Sequence, residues 1–173
     1  MSKSGVNITQ AKYKEELIYQ AFELEDLLKE YIKIHDLRLQ EGGTIKSLLK
    51  NIFLHMPVDF KRIYILISIL SEQFAQKKID LTEMLTDFER YSKIQQNFYL
   101  ALIKYFTAFH ETVSTLVILA KKQYELSNSY KNSDLSLREN IQLENLYKEK
   151  IRVHLALGKE LNDSFQLLKN EEK

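Results

Sequence analysis

Four histidines are the residues of this chain best equipped for chemistry: His35, His55, His110 and His154. Imidazole binds metals, carries protons and changes charge near neutral pH. Each of these uses needs partners at a fixed spacing. A di-iron bundle needs Glu-x-x-His pairs on facing helices, but the glutamates before His35 and His154, Glu30 and Glu149, each stand five residues away. His110-Glu111 is followed by no histidine at the zincin spacing. The Arg-x(4–6)-His pattern of helical nucleases is missing too, because Arg138 and Arg152 precede His154 by sixteen and two residues. The chain has no glycine-rich phosphate loop, no nucleophile elbow and no cysteine, which removes phosphate cradles, thiolate metal sites and disulfides. The expectation is a non-enzymatic protein with no cofactor, no metal and no small-molecule substrate.

His35 and His154 differ from the other two histidines because both fall on the inner seam of a helix. One reading is a ligand pair, or a pH-sensitive contact between packed helices. The simpler reading is a pair of hydrogen-bonded core or rim histidines. Gly158, one turn beyond His154, would let another helix approach closely.

The elements that must position these residues are all helical. At 173 residues, with 45% hydrophobic and 28% charged content, the chain reads as one globular domain, 1–173, frayed at 1–8 and 170–173. One proline and four glycines leave few helix breakers. Leu17, Ala21, Leu24, Leu28, Tyr31 and His35 step by four and three, which predicts a helix over about Thr9–Gln40, ended by Gly42-Gly43. Thr44 to Met56 predicts a short helix up to Pro57. Phe60 to Lys77 predicts another, whose "IYILISIL" run is apolar almost all round. Lys77-Lys78-Ile79 reads as a connection, with Asp80 and Glu83 as a capping box. From there a seam continues without a break: Leu81, Met84, Phe88, Tyr91, Gln95, Phe98, Leu102, Tyr105, Phe109, Thr112, Leu116, Leu119, Gln123, Leu126. Its exceptions to apolarity are Gln95, Thr112 and Gln123. "SNSYKNSD" reads as a turn, and Ser136 with Glu139 as the capping box of a last helix seamed by Tyr147, Ile151, His154, Gly158, Leu161, Phe165 and Leu168.

The fold class expected is all-α: an antiparallel bundle of four to five helices with one overlong, coiled-coil-like helix of about 46 residues, or roughly 70 Å. Either that helix bends, near Val113–Thr115, or a partner covers its excess length; the second reading predicts an interaction or assembly protein, packing through the far end of the long seam with itself as a homodimer or with another helical protein. Tyr105, Phe109, Leu116, Leu119 and Leu126 are the partner-interface candidates.

Charge offers a second surface. From Thr44 to Lys78, six basic residues face two acidic ones. Lys46, Lys50, Lys61 and Arg62 around Phe53, Met56 and Phe60 suggest a membrane-surface module as the alternative function. A small metal protein or enzyme built on His35 and His154 is the second alternative. The net charge of +1 does not favour nucleic acid. The start, "MSKSGVNITQAKYKEE", has no export-signal core, and eight residues of "IYILISIL" cannot cross a bilayer that needs about 20; a cytoplasmic location is expected.

Glu72 to Glu111 resembles, in its spacing, the closing helix–turn–helix of outer-membrane efflux channel proteins. Ile79, Asp80, Leu81, Glu83, Leu85, Gln96, Asn97, Ala101, Leu102 and Tyr105 match that pattern. Lys77-Lys78 stands where those proteins usually have a turn glycine. The resemblance implies a helix hairpin turning near Lys77, and no function is carried over from it.

Overall fold

A computed structural model describes residues 3–42, 59–128 and 133–171, with side chains described at 10–40, 59–127 and 138–171. Four helices account for nearly all of it: α1 (Lys3–Gly42), α2 (Phe60–Glu83), α3 (Lys93–Asn128) and α4 (Ser133–Asn170). A 3-10 segment, Met84–Arg90, joins α2 to α3. The described residues contain no strand. The all-α bundle expected from the apolar periodicity is therefore the architecture observed.

Side-chain pairs give the helix directions. On α2 and α3, Tyr64 stacks with Tyr124, Phe74 with Phe106, and the Tyr99 hydroxyl donates to the Leu81 carbonyl, so the numbers run in opposite senses. On α3 and α4, Gln123 reaches Glu144, Thr112 reaches His154, and Phe98 reaches Phe165. Lys77 of α2 pairs with Glu23 of α1, and Lys14 of α1 donates to the Lys169 carbonyl at the far end of α4. The four helices run up, down, up, down.

The predicted long helix is broken. α2 continues straight through Lys77-Lys78-Ile79 to Glu83, so no turn lies there and Asp80 is not an N-cap. The chain turns at 84–92 instead. Ser92 caps α3: its Oγ accepts from the Gln95 N–H at 3.2 Å, and its own N–H donates to Gln95 Oε1 at 3.2 Å. That is a capping box of the Ser-x-x-Gln kind. Tyr91 is extended (φ −70°, ψ 147°), which stops the preceding turns from propagating into α3. The carbonyls left behind are used by side chains. Tyr91 Oη donates to Met84, Gln96 Nε2 to Phe88 and Tyr91, and Gln10 Nε2 of α1 to Arg90. Tyr13, Phe88, Tyr91 and Tyr99 close over the bend as an aromatic group. Apolar periodicity runs on through the break because Met84 and Phe88 of the 3-10 segment pack, half-buried, against the core, while Leu85 faces out.

With the break in place the lengths agree. α1, α3 and α4 hold 40, 36 and 38 residues, or roughly 55–60 Å each. No overlong helix remains to be covered by a second subunit. α4 begins at Ser133, one turn before the Ser136–Glu139 box predicted to start it. α1 extends back to Lys3 and ends at Gly42, at the glycine pair. The predicted helix 44–56 and its Pro57 boundary lie outside the described residues.

Ser92→Ala combined with Gln95→Ala removes both halves of the α3 cap. The expected loss is about 1 to 2 kcal/mol of unfolding free energy, checked by urea denaturation against wild type.

Candidate functional site

The centre of the bundle holds a polar network built by three helices. α1 supplies Tyr31, His35 and Arg38, spaced four and three apart and hence on one face. α4 answers with Glu144, Tyr147 and His154, and α3 with Thr112 and Gln123. The Tyr31 and Tyr147 hydroxyls lie 2.6 Å apart, and the Tyr147 hydroxyl lies 2.7 Å from His35 Nδ1. Arg38 forms an ion pair with Glu144, donates from Nε to Gln123 Oε1 at 3.4 Å, and lays its guanidinium 5.5 Å above the Tyr147 ring. Gln123 Nε2 donates to the same Glu144 carboxylate.

One turn further into the core, His154 Nδ1 meets Thr112 Oγ1 at 3.0 Å. The rings of Tyr31, Tyr105 and Phe109 surround that imidazole at 5.3–6.2 Å. Gly158 makes room beside it: a Cβ there would stand 3.2 Å from the Tyr105 ring, so α3 and α4 approach through the missing side chain.

Burial sets the electrostatics. It pushes the Tyr31 phenol up to about 12, the Tyr105 phenol up to about 12, and the Tyr147 phenol further still. It pulls His35 below its ordinary value, and the Arg38 charge pulls the same way against a smaller opposing effect of Asp36. Burial lowers His154 too; a hydrogen bond to the Lys150 backbone opposes this, and His35 adds to it. The Arg38 guanidinium is itself lowered by burial. All these groups favour one state: neutral histidines, protonated phenols and one paired ion pair.

His110 lies apart from the network. It stacks on Phe74 at 5.8 Å and on Phe106 at 6.1 Å, and burial with nearby Lys78 lowers it. His55 lies outside the described residues. Three histidines are thus harder to protonate folded than unfolded. Below the unfolded value near 6.5 the unfolded chain binds more protons, so stability falls as pH drops from there through the lower folded values. The urea midpoint should be flat above about pH 7 and decline below about 6.5, read from unfolding curves at a series of pH values before carboxylates begin to titrate.

The sequence candidates land in different places. His35 and His154, predicted on the inner seams of the first and last helices, are brought to either side of Tyr31: His35 is joined to it through Tyr147, and His154, bonded to Thr112, meets its ring edge-on at 6.0 Å. They do not form a ligand pair with a third donor: among the described residues no group of three or more His, Cys, Asp or Glu side chains is placed to hold a metal. Tyr105, Phe109, Leu116 and Leu119 are 6%, 0%, 0% and 0% exposed, and Leu126 is half-buried. These interface candidates are already spent on the chain's own core, because α2, folded back by the break at 84–92, packs over α3 from one side and α4, which follows α3, from another. Lys61 and Arg62 stand exposed at the start of α2, whereas Phe60 is buried and cannot share their surface. Lys46, Lys50, Phe53 and Met56 lie outside the described residues.

An exposed apolar site occurs elsewhere. Ile118 of α3 and Leu143 and Leu146 of α4 line an open groove of about 490 Å³, rimmed by Lys121, Lys122, Glu125, Glu139 and Gln142. Ile118 and Leu146 are 55% and 42% exposed. Seam position alone misses them because it ranks residues by their place on the inner stripe. It also misses Arg38, Glu144 and the capping role of Gln95. A signal exists: Gln95, Thr112 and Gln123 interrupt an apolar seam, and each is hydrogen-bonded to a partner far along the chain or at a helix cap.

No protein-family model, no curated protein and no solved structure matches the chain.

Proposed function

We propose that this chain is a non-enzymatic assembly protein that packs helix against helix with a second copy of itself, through the groove between α3 and α4. The observation that carries the reading is the groove: an apolar floor of Ile118, Leu143 and Leu146 between charged rims. Its rim holds two lysines and two glutamates, paired within the chain as Lys121–Glu125 and Lys122–Glu139, so two copies meeting across a twofold axis would bring together rims of no net charge. The net charge of +1 leaves little bulk repulsion between copies. Solution mass by size-exclusion chromatography with light scattering, over a concentration series, tests it. Wild type approaching twice 20.5 kDa, with Ile118→Glu/Leu146→Glu remaining at the single mass, is the expected pair of results. A wild type that stays at the single mass, or a variant that still dimerises, overturns self-association through this groove.

A second reading is favoured by one feature of α2. Lys61 and Arg62 form no side-chain pair with a described residue, and they adjoin the half-exposed Ile65 and Ile69 on the outward face. That pattern suits an anionic lipid surface. No helix among the described residues is long and apolar enough to cross a membrane, so such contact would be peripheral. Cosedimentation with phosphatidylserine vesicles at low salt, lost in Lys61→Glu/Arg62→Glu, is the result expected on this reading; no binding removes it.

A further inference from the structure

The Tyr31–Tyr147–His35 chain has a direction. Tyr31 is 4% exposed, and among the described residues its hydroxyl has no hydrogen-bond partner except Tyr147. With His35 neutral, every proton in the chain has an acceptor. Tyr31 donates to Tyr147, Tyr147 donates to His35 Nδ1, and the imidazole keeps its proton on Nε2. A proton added at Nδ1 breaks this order. Nδ1–H then donates to the Tyr147 oxygen, and one contact remains between two phenols that each carry a proton. Whether Tyr147 donates to Tyr31 or Tyr31 goes on donating to Tyr147, one phenol proton is left without an acceptor in the interior, which is costly. The new charge also arises beside Arg38.

We infer that this hydroxyl chain is a proton-operated latch between α1 and α4: neutral His35 holds α1 down, and protonated His35 releases it. The groups facing the latch are few. α1 contributes Arg38 and Asp36, and α4 contributes Glu144, which Arg38 already occupies, together with His154 and the Lys150 backbone. α3 contributes uncharged Thr112 and Gln123. α2 reaches the region with the ring of Phe74 against Phe109. Asp36 is exposed and favours the new charge through space, but no hydrogen bond joins it to the imidazole; the Glu144 carboxylate is held by Arg38. His154 differs from His35. Thr112 Oγ1 lies 3.0 Å from both the Ala108 carbonyl and His154 Nδ1; with its proton on the carbonyl, a His154 Nδ1–H donates to it, and that order does not reverse on protonation.

Two measurements on the full chain test the latch. Long-range ¹H–¹⁵N spectra of histidine-labelled protein at about pH 7.5 should show the Nε2–H tautomer for His35 and the Nδ1–H tautomer for His154. An Nδ1–H tautomer at His35 overturns the latch. Amide exchange read by mass spectrometry, corrected for intrinsic rates, should then show α1 losing about tenfold or more in protection between about pH 7.5 and pH 5. His35→Gln should remove most of that loss, leaving the share that His110 and His154 impose through overall stability, and His154→Gln should retain most of it. If His35→Gln keeps the full loss, the latch is wrong. Should that variant fail to fold, wild type decides: protection lost in step with His35 protonation supports the latch, and protection lost while His35 is still neutral overturns it.

Discussion

Arg38→Met should lower the unfolding free energy by about 3 to 5 kcal/mol, a drop of roughly 10 °C in Tm for a chain of this size. Arg38 is 3% exposed, and its guanidinium answers the Glu144 carboxylate, the Gln123 amide and the Tyr147 ring together. Removing it takes the guanidinium from Glu144, a carboxylate only 14% exposed. A largely buried carboxylate that loses its guanidinium is the costly outcome; the pair itself carries much less net stability, because both ions were desolvated to form it. Arg38→Met/Glu144→Met should therefore regain most of what the single variant loses. Thermal and urea unfolding of the two variants and wild type measure this directly. Equal losses in the single and double variants would mean the carboxylate is hydrated and the network open.

Phe109→Ala should cost a similar amount, about 3 to 5 kcal/mol, and for a different reason. Its ring is fully buried and meets Phe74 edge-on at 4.8 Å, Tyr31 at 5.3 Å, His154 at 5.3 Å and Tyr105 at 5.8 Å. Those neighbours come from all four helices, so no single shift can refill the space. The same substitution discriminates between two roles. A core ring lost gives a less stable chain of unchanged association state, whereas a partner-facing ring lost would change association and leave the stability of the single chain near wild type. Urea unfolding and light scattering on one preparation separate the two.

Much of the architecture is legible from spacing alone. Heptad steps on 17–35 and 147–168 mark two helices whose stripes are buried as expected, with Leu17, Leu24, Tyr31, Tyr147, His154 and Leu168 inside. The glycine pair at 42–43 marks the end of α1. The bend at 84–92 is hidden for a physical reason. Periodicity reports which residues face inward, and a 3-10 turn closing onto the same core preserves that report while reversing the chain. The decisive cue is polar: Ser92 and Gln95 form a capping box in the middle of an apolar seam, where Gln95 reads as a flaw in the stripe. His35 and His154 are legible as inward-facing residues. Their joining through Tyr31 and Tyr147 is not, because it needs two phenols from separate helices to meet at hydrogen-bond distance. The groove at Ile118 and Leu146 depends on the crossing of α3 and α4, which no one-dimensional pattern encodes.

Which faces are free for a partner follows from the turn at 84–92, and a distance tests it. Spin labels at the exposed positions Glu83 and Lys104 would stand roughly 30 Å apart along one continuous helix. In the observed hairpin, Leu81 is hydrogen-bonded to Tyr99 and Phe74 stacks on Phe106, which brings those labels to about 15 Å. Pulsed electron–electron resonance on the doubly labelled chain should find the short distance. A population centred near the long one would mean that the helix runs unbroken, that Tyr105 to Leu126 face a partner after all, and that the assignment of the free surface is wrong.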